Sequence, residues 1–208
     1  RGRPALSDVR PMSPSTRPTP ALYGERAELY DLIYAWKDYA AESERLHALL
    51  AAEGVPEGSL VLDAACGTGQ HLVQLARRYR AQGFDVSPAM LAVARRKLPE
   101  ARLFEADLRD FRVEAPVRAV VCLFSAIGYL GDEDALRRAA RCFAEALEPG
   151  GVLVVEPWLT QEDCTDGFAS MQTYDRPELK LCRQSVTRIA GDVTLFDMHW
   201  LVAREIER

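Results

Sequence analysis

The sequence predicts an α/β fold with a doubly wound, mostly parallel sheet, and two patterns support this. First, short apolar segments typical of buried strands alternate with helical segments between residues 59 and 158. Their near-continuous apolar character indicates that helices cover both faces of the sheet. Second, a glycine turn joins the first strand to a helix in LVLDAACGTGQHLVQL, residues 60–75. Strand, glycine turn and helix in this order are typical of a site for a nucleotide-like cofactor.

Five strands and three helices can be placed in order through this region. The strands are predicted in SLVLDA, RAQGFDV, ARLFEAD, VRAVVCLFSAI and GVLVVEPW. The helices are predicted in GQHLVQLARRY, SPAMLAVARRKL and DEDALRRAARCFAEALEPG. Two helix starts carry capping residues, because Ser87 precedes Pro88 and Asp132 precedes Glu133.

The segments on either side of the core differ from it in character. Residues 1–20 are rich in Pro, Arg and Ser and are predicted to form a flexible tail, and residues 21–55 to form an N-terminal helical cap. The α/β core is assigned to residues 56–158. Residues 159–208 are predicted to add an antiparallel hairpin, with its turn at Gly191 and Asp192.

Composition limits the class of partner. The chain has 208 residues and a formal net charge of −5, which argues against a nucleic-acid partner. The five dispersed cysteines form no CxxC pair, which indicates reduced thiols, a cytoplasmic location and no metal site. The longest apolar stretch, residues 119–130, is too short and too interrupted by glycine to span a bilayer. No membrane partner is expected.

The cofactor follows from the charges around the glycine turn. A dinucleotide fingerprint needs a third glycine, and Leu72 stands at that position. Asp63 lies at the carboxyl end of the strand, where it would repel a pyrophosphate. S-adenosylmethionine (SAM) has no phosphate, and its α-ammonium group suits an acid there.

Two further acids follow the next strands at suitable intervals. Asp85 ends the second strand and is placed to bind a ribose diol, and Asp107 follows the third strand and is placed to accept from an adenine amine. The glycine turn and the two acids, each at the carboxyl end of a successive strand, predict a SAM site.

Several motifs resemble those of class I SAM-dependent methyltransferases: LDAACGTG, GFDVSPAML, EADLRDF and ALEPGGVLVVEPW. Within that superfamily, LYGERAELYDLIY with KDY, CLFSAIGYL, EPW and HWLVA most resembles the N-methyltransferases of nucleotide-linked amino-deoxysugars. The resemblance covers residues 23–202 and implies a Rossmann-like methyltransferase sheet, SAM as cofactor and an amine on a small-molecule acceptor.

The resemblance also implies site residues. Cofactor contacts are expected from Tyr23, Tyr30, Asp63, Ala64, Cys66, Gly67, Thr68, Gly69, His71, Asp85, Val86, Met90, Ala106, Asp107, Leu108, Leu123 and Phe124. Acceptor contacts are expected from Ser125, Trp158, Arg183 and His199, with Arg183 facing substrate phosphates. Tyr129 and Tyr23 are the catalytic candidates. For the aromatic and basic residues of this set, a packing or surface role is the alternative.

The acceptor is less constrained than the cofactor. The related sugar N-methyltransferases commonly carry a histidine where this chain has Tyr129, so a simple histidine-base mechanism is not expected. Another small amine or hydroxyl acceptor, and a non-catalytic SAM-binding protein, remain alternatives. A nucleobase amine is disfavoured, because FSAIGYL lacks the proline-containing polar clamp of such enzymes.

The C-terminal region departs from the superfamily. Its sheet normally has seven strands with an antiparallel edge, whereas the given sequence stops at Arg208 after the predicted hairpin. Either the core is cut short, or the final edge is missing or supplied by a partner. An exposed fifth strand would favour association, for example as a homodimer.

Overall fold

The computed structural model describes residues 27–191 and 193–204. The predicted tail, the first part of the helical cap and Tyr23 lie outside these residues. The helices are α1 (Ala27–Ile33), α2 (Tyr39–Ala52), α3 (Gln70–Leu75), α4 (Pro88–Lys97) and α5 (Glu133–Ala146). The strands are β1 (Leu60–Ala64), β2 (Arg80–Asp85), β3 (Arg102–Glu105), β4 (Val117–Cys122), β5 (Leu147–Val155), β6 (Ala169–Asp175), β7 (Leu179–Ala190) and β8 (Val193–Arg204).

The first five strands form one parallel sheet in the order β3-β2-β1-β4-β5. The chain reverses its direction of travel across the sheet between β1 and β4, which is the switch point where open α/β sheets bind ligands. The predicted doubly wound parallel sheet is therefore confirmed. Helix α3 is shorter than predicted, because the chain turns after Leu75.

Helices cover both faces of this sheet. On one face, Leu62 and Val120 pack with Phe143 of α5. On the other face, Val61 and Val121 pack with Leu50 of α2. Phe84 is fully buried, and its ring lies 4.5 Å from that of Phe111. This two-sided burial explains the continuous apolar strands in the sequence.

The remaining strands form a separate antiparallel sheet in the order β6-β7-β8. Only β7 and β8 were expected, so the predicted hairpin is in fact three-stranded. Gly191 has a φ of 59° beside the turn between them, and Asp192 is outside the described residues. In the part of the chain that the structure describes, no helix is long and apolar enough to cross a bilayer.

The start of α5 offers a test of helix capping. The Asp132 carboxylate accepts a hydrogen bond from the Ala135 backbone N–H at 2.8 Å. Asp132→Ala is expected to lower the free energy of unfolding by about 1 kcal/mol, because that N–H loses its partner. Urea denaturation measures the change. Asp134→Ala is the control, since the Asp134 side chain is 92% exposed; equal losses in both variants would contradict the capping role.

Candidate active site

The carboxyl edge of the parallel sheet gathers acidic side chains from neighbouring strands. Asp63 lies in β1 opposite Gly83, and Asp85 ends β2 opposite Glu105 of β3. Asp107 follows β3, and Glu156 follows β5. The predicted acids therefore share one edge of the sheet, at its switch point.

The glycine turn after β1 has an unusual backbone that leaves room for a ligand. Gly67 has a φ of 54° and Gly69 a φ of 77°. A Cβ added to Gly69 would lie 3.2 Å from the Ala94 Cβ, so this glycine lets α3 approach α4. A Cβ added to Gly67 would meet no atom within 4 Å. The space in front of Gly67 is open.

Asp85 is held rigidly beside this turn. Its carboxylate accepts hydrogen bonds from the backbone N–H of Gly67 at 2.8 Å and of Ser87 at 2.9 Å. Burial raises the pKa of the Asp85 carboxyl, and these N–H donors oppose that rise. A carboxylate offers about four lone-pair sites, so Asp85 keeps capacity to accept from a diol.

Asp63 is the least satisfied acid of the site. It is 3% exposed, and neither a hydrogen bond nor a cation is among the causes that set the pKa of its carboxyl. Burial, followed by the charge of Asp85, raises the pKa of the Asp63 carboxyl to about 8. A buried carboxyl without a partner is suited to a cationic ligand, whose charge would stabilise its ionised form.

The third predicted acid already has a protein partner. Asp107 accepts hydrogen bonds from the Arg109 backbone N–H and Nε at 2.8 Å each and from Nη2 at 2.6 Å. These bonds lower the pKa of the Asp107 carboxyl. One lone pair of its Oδ2 remains for an adenine amine.

Three other predicted cofactor contacts have different surroundings. Leu108 is buried in the core that includes Phe84. Met90 is buried with Ala27 and Val93. Val86, in contrast, is exposed. The side chains of Leu108 and Met90 thus serve packing in this structure.

A contact that the sequence did not reveal ties α1 to the glycine turn. The Thr68 hydroxyl donates to Asp31 Oδ1 at 2.5 Å, and Lys97 Nζ pairs with Asp31 Oδ2 at 2.5 Å. Lys97 Nζ also donates to the Thr68 carbonyl at 2.8 Å. We name Asp31, Thr68 and Lys97 the α1 latch. It holds α1 against the turn on which the cofactor would lie.

If the α1 latch holds α1 over the cofactor, a variant that weakens the latch should release the cofactor faster than wild type. Asp31→Asn is expected to speed SAM dissociation roughly 3- to 10-fold, since it removes one charge from a partly buried pair. Stopped-flow competition measures that rate. Glu28→Gln is the control, because Glu28 pairs with Arg96 across the same two helices at 3.2 Å but on the exposed side. Equal rates in the two variants would contradict the latch.

The loop after β4 has a strained backbone. Phe124 has a φ of 52° and Ser125 a φ of 56°, both in the left-handed region. A 3₁₀ turn, Ala126–Leu130, follows them and carries Tyr129, which is 54% exposed. Leu123 packs against the core cluster that contains Val121.

His71 lies in a polar cluster behind the glycine turn. Its Nε2 is 2.9 Å from Glu42 Oε2, and its ring contacts Tyr39. Burial lowers the pKa of His71, and Glu42 opposes this effect. A cavity of about 270 Å³ is lined by Glu42, Arg45, Leu46, His71, Leu123 and Glu156. A larger cavity of about 610 Å³ lies at the amino ends of the strands, away from these groups.

The antiparallel sheet brings a cationic group to α1. The Arg183 guanidinium donates to the Tyr34 hydroxyl and stacks 5.0 Å from the Tyr34 ring. Tyr34 meets Phe124 edge-on at 5.2 Å and Tyr30 at 4.6 Å. Tyr34, which was not among the predicted site residues, therefore links Arg183 to the loop after β4.

The predicted acceptor residues divide between two faces of this sheet. Arg183 lies opposite Trp200, which packs with the cluster around Tyr34. Successive residues of a strand point to opposite faces, so His199 lies on the other, outer face. Trp158 contacts Phe196 of β8 at 5.2 Å, and Ser125 donates to the Pro157 carbonyl at 2.9 Å. The structure thus separates His199 from Arg183, although the sequence analysis grouped them.

The sheet order, the open glycine turn and the buried acid near the end of β1 fit SAM. A family model described as a methyltransferase domain matches residues 61–151. The fold and the site therefore define a SAM-dependent methyltransferase.

Comparison with known proteins identifies the family within this class of methyltransferases. The chain is 41% identical, over 86% of its length and 76% of the relative, to the dTDP-3-amino-3,4,6-trideoxy-α-D-glucopyranose N,N-dimethyltransferase of Streptomyces venezuelae. The crystal structure of Streptomyces venezuelae DesVI superposes with a TM-score of 0.80 at 41% identity, covering 86% of this chain and 77% of DesVI. SAM-bound CalS10, an amino pentose methyltransferase from Micromonospora echinaspora, gives 0.76 at 34% identity, covering 85% and 76%. The chain belongs to the family of these sugar N-methyltransferases.

Proposed function

We propose that this methyltransferase transfers a methyl group from SAM to the amine of a nucleotide-linked amino sugar. The similarity to dTDP-amino-sugar N,N-dimethyltransferases carries the proposal, since it covers 86% of the chain and extends well beyond the 61–151 core. A shared cofactor core alone would leave the acceptor open. Similarity that continues past the core favours a similar acceptor.

The proposed cofactor contacts follow the geometry at the sheet edge. Asp63 would accept from the α-ammonium group, and the open space before Gly67 would take the methionine portion. Asp85 would accept from the ribose hydroxyls, with Asp107 near the adenine. When bound, SAM supplies a methyl group already activated on a sulfonium. The protein's own residues then need to position the acceptor and exclude water.

The acceptor is proposed to lie between α1, the loop after β4 and the inner face of the antiparallel sheet. Arg183 and Trp158 are its proposed contacts, supported by the ring contacts that join them to Tyr34 and Phe196. The Arg183 Nε is buried without a hydrogen-bond partner in the described part of the chain, so it retains a donor for a sugar or phosphate oxygen. His199 is not placed to join them.

Tyr129 is the proposed group that orients the acceptor amine. It lies close enough to Tyr34 to influence its pKa, although burial is the main cause that raises the pKa of Tyr34. The amine must lose a proton before it can attack, and a phenolic oxygen can accept a hydrogen bond from it.

The proposal is tested by SAM turnover against a panel of acceptors. dTDP-linked amino sugars, simple amines and hydroxylated sugars are incubated with SAM, and mass spectrometry follows the methylated products. Products that gain one or two methyl groups only with the amino-sugar nucleotides are expected. Methylation of a hydroxyl group or of unrelated amines in preference would contradict the amino-sugar acceptor.

We also propose that two copies of the chain associate through the antiparallel sheet. Among the described residues, β8 pairs on one side only, with β7. Its outer face exposes Val193, Leu195 and Leu201, the last 68% exposed. An open edge with apolar neighbours suits pairing about a two-fold axis. Light scattering of wild type and Leu201→Glu tests this; a wild-type monomer would contradict it.

A further inference from the structure

The loop after β4 has a strained backbone next to the carboxyl edge of the parallel sheet. Phe124 and Ser125 both have left-handed φ values, of 52° and 56°, although neither is glycine. For a bulky side chain such as Phe124 this backbone is a real outlier, which persists only where surrounding contacts impose it. The loop begins directly after β4, beside the strand that carries Asp63. Contacts from neighbouring segments must therefore maintain the left-handed backbone of this loop.

Two contacts from the end of β5 hold this loop. Glu156 Oε2 accepts a hydrogen bond from the Phe124 backbone N–H at 2.6 Å, and the Pro157 carbonyl accepts from the Ser125 hydroxyl at 2.9 Å. The Glu156 backbone is itself fixed, because its N–H donates to the Cys122 carbonyl at 2.9 Å. The Glu156 carboxylate thus bridges the ends of β4 and β5 at the first strained residue.

The same contact sets the direction of the Phe124 side chain. The Phe124 ring meets Tyr34 edge-on at 5.2 Å, and Lys37 Nζ lies 4.6 Å from its centre. A rotation of the Phe124 backbone would move this ring away from Tyr34 and Lys37, which follow α1. In-line displacement is sensitive to small misplacements of the reacting groups, so a loop beside them must be fixed.

We propose that Glu156 is a positioning residue for methyl transfer: its carboxylate imposes the left-handed backbone at Phe124, in the loop beside the proposed acceptor position. This inference rests on the proposed methyl transfer for its kinetic effect. It assigns Glu156 no proton transfer. Its role requires an acceptor oxygen on the side chain and not a negative charge.

The experiment compares Glu156→Ala with Glu156→Gln, whose amide oxygen can still accept from the Phe124 N–H. In Glu156→Ala, the Phe124 amide is expected to exchange its hydrogen roughly 10-fold faster, as resolved by NMR. The turnover number is expected to fall roughly 10-fold, with the KM for SAM changed by less than about 3-fold. Glu156→Gln is expected to remain close to wild type in all three.

Glu148→Ala is the matched control, because it removes a carboxylate near the other end of β5, where Glu148 contacts Arg118. It should leave turnover and Phe124 exchange unchanged. Equal losses in Glu156→Gln and Glu156→Ala would overturn the proposal, since the charge would then be decisive. Unchanged Phe124 exchange in Glu156→Ala would overturn it as well. If wild type methylates no amine, the proposed function fails, whereas the exchange comparison still decides the loop contact.

Discussion

Asp63→Asn is expected to weaken SAM binding by about 100-fold, the largest effect of any single change at this site. The carboxyl group is buried, and no hydrogen bond or cation is among the causes that set its pKa. A charge-assisted bond to an ammonium group in such surroundings is worth roughly 2–5 kcal/mol when one partner is removed, and each 1.4 kcal/mol is about tenfold in affinity. The asparagine is nearly isosteric, so the fold should persist.

Isothermal titration with two ligands assigns the effect to the ammonium group. SAM carries this group and adenosine does not, so adenosine affinity should be nearly the same in wild type and Asp63→Asn. An equal loss for both ligands would contradict the proposed contact, because it would indicate a general disturbance of the site.

The same substitution should change how stability depends on pH in the cofactor-free protein. The pKa of the Asp63 carboxyl rises from 3.8 to about 8 on folding. Between these values the folded state binds the proton and the unfolded state does not, so stability falls as pH rises through this range. Asp85 contributes in the same direction, since burial raises its pKa too. Melting temperatures from pH 4 to 9 should decline less in Asp63→Asn than in wild type.

Gly67→Ala is expected to weaken SAM binding by at least 30-fold and to lower the free energy of unfolding by about 1–2 kcal/mol. The added Cβ would enter the open space in front of the turn, which we propose takes the methionine portion of SAM. The left-handed φ of 54° adds a cost of about 1–2 kcal/mol for an L-residue. Equilibrium binding and urea denaturation measure the two effects separately.

Gly58 provides a matched control within the chain. It has a φ of 79°, and a Cβ placed there would also meet no atom within 4 Å. Gly58 precedes β1 at the amino edge of the sheet, away from the site. Gly58→Ala should share the backbone strain and keep SAM affinity. A similar loss of affinity in both variants would show that strain alone explains the effect.

Much of the fold could be predicted from the sequence because local patterns determine it. Strands β1, β4 and β5 contain apolar runs, and the helix starts at Ser87 and Asp132 carry side-chain caps in the structure. Strand β6 was missed because its alternating segment, ASMQTYD, is polar and preceded by loop residues. Its pairing with β7 is what makes it a strand.

The site was predicted less completely, because some of its contacts form only between segments distant in the sequence. The acids follow strands at regular intervals, so sequence order was enough to find them. Asp31 meets Thr68 and Lys97 only through tertiary packing, and no spacing encodes this contact. The grouping of His199 with Arg183 could have been corrected from the sequence. The neighbouring Trp200 is a large apolar residue that occupies the inner face, so His199 must lie on the outer face.

Helix α1 and the residue after it contact both the glycine turn and the antiparallel sheet. Asp31 of α1 contacts the glycine turn, and Tyr34, directly after α1, contacts Arg183 in the antiparallel sheet. If a ligand at one of these neighbours changes the affinity for a ligand at the other, the reverse effect has the same factor, because thermodynamic coupling is reciprocal. We therefore expect SAM and the acceptor to change each other's affinity by the same factor, which binding measurements of each ligand with and without the other would show.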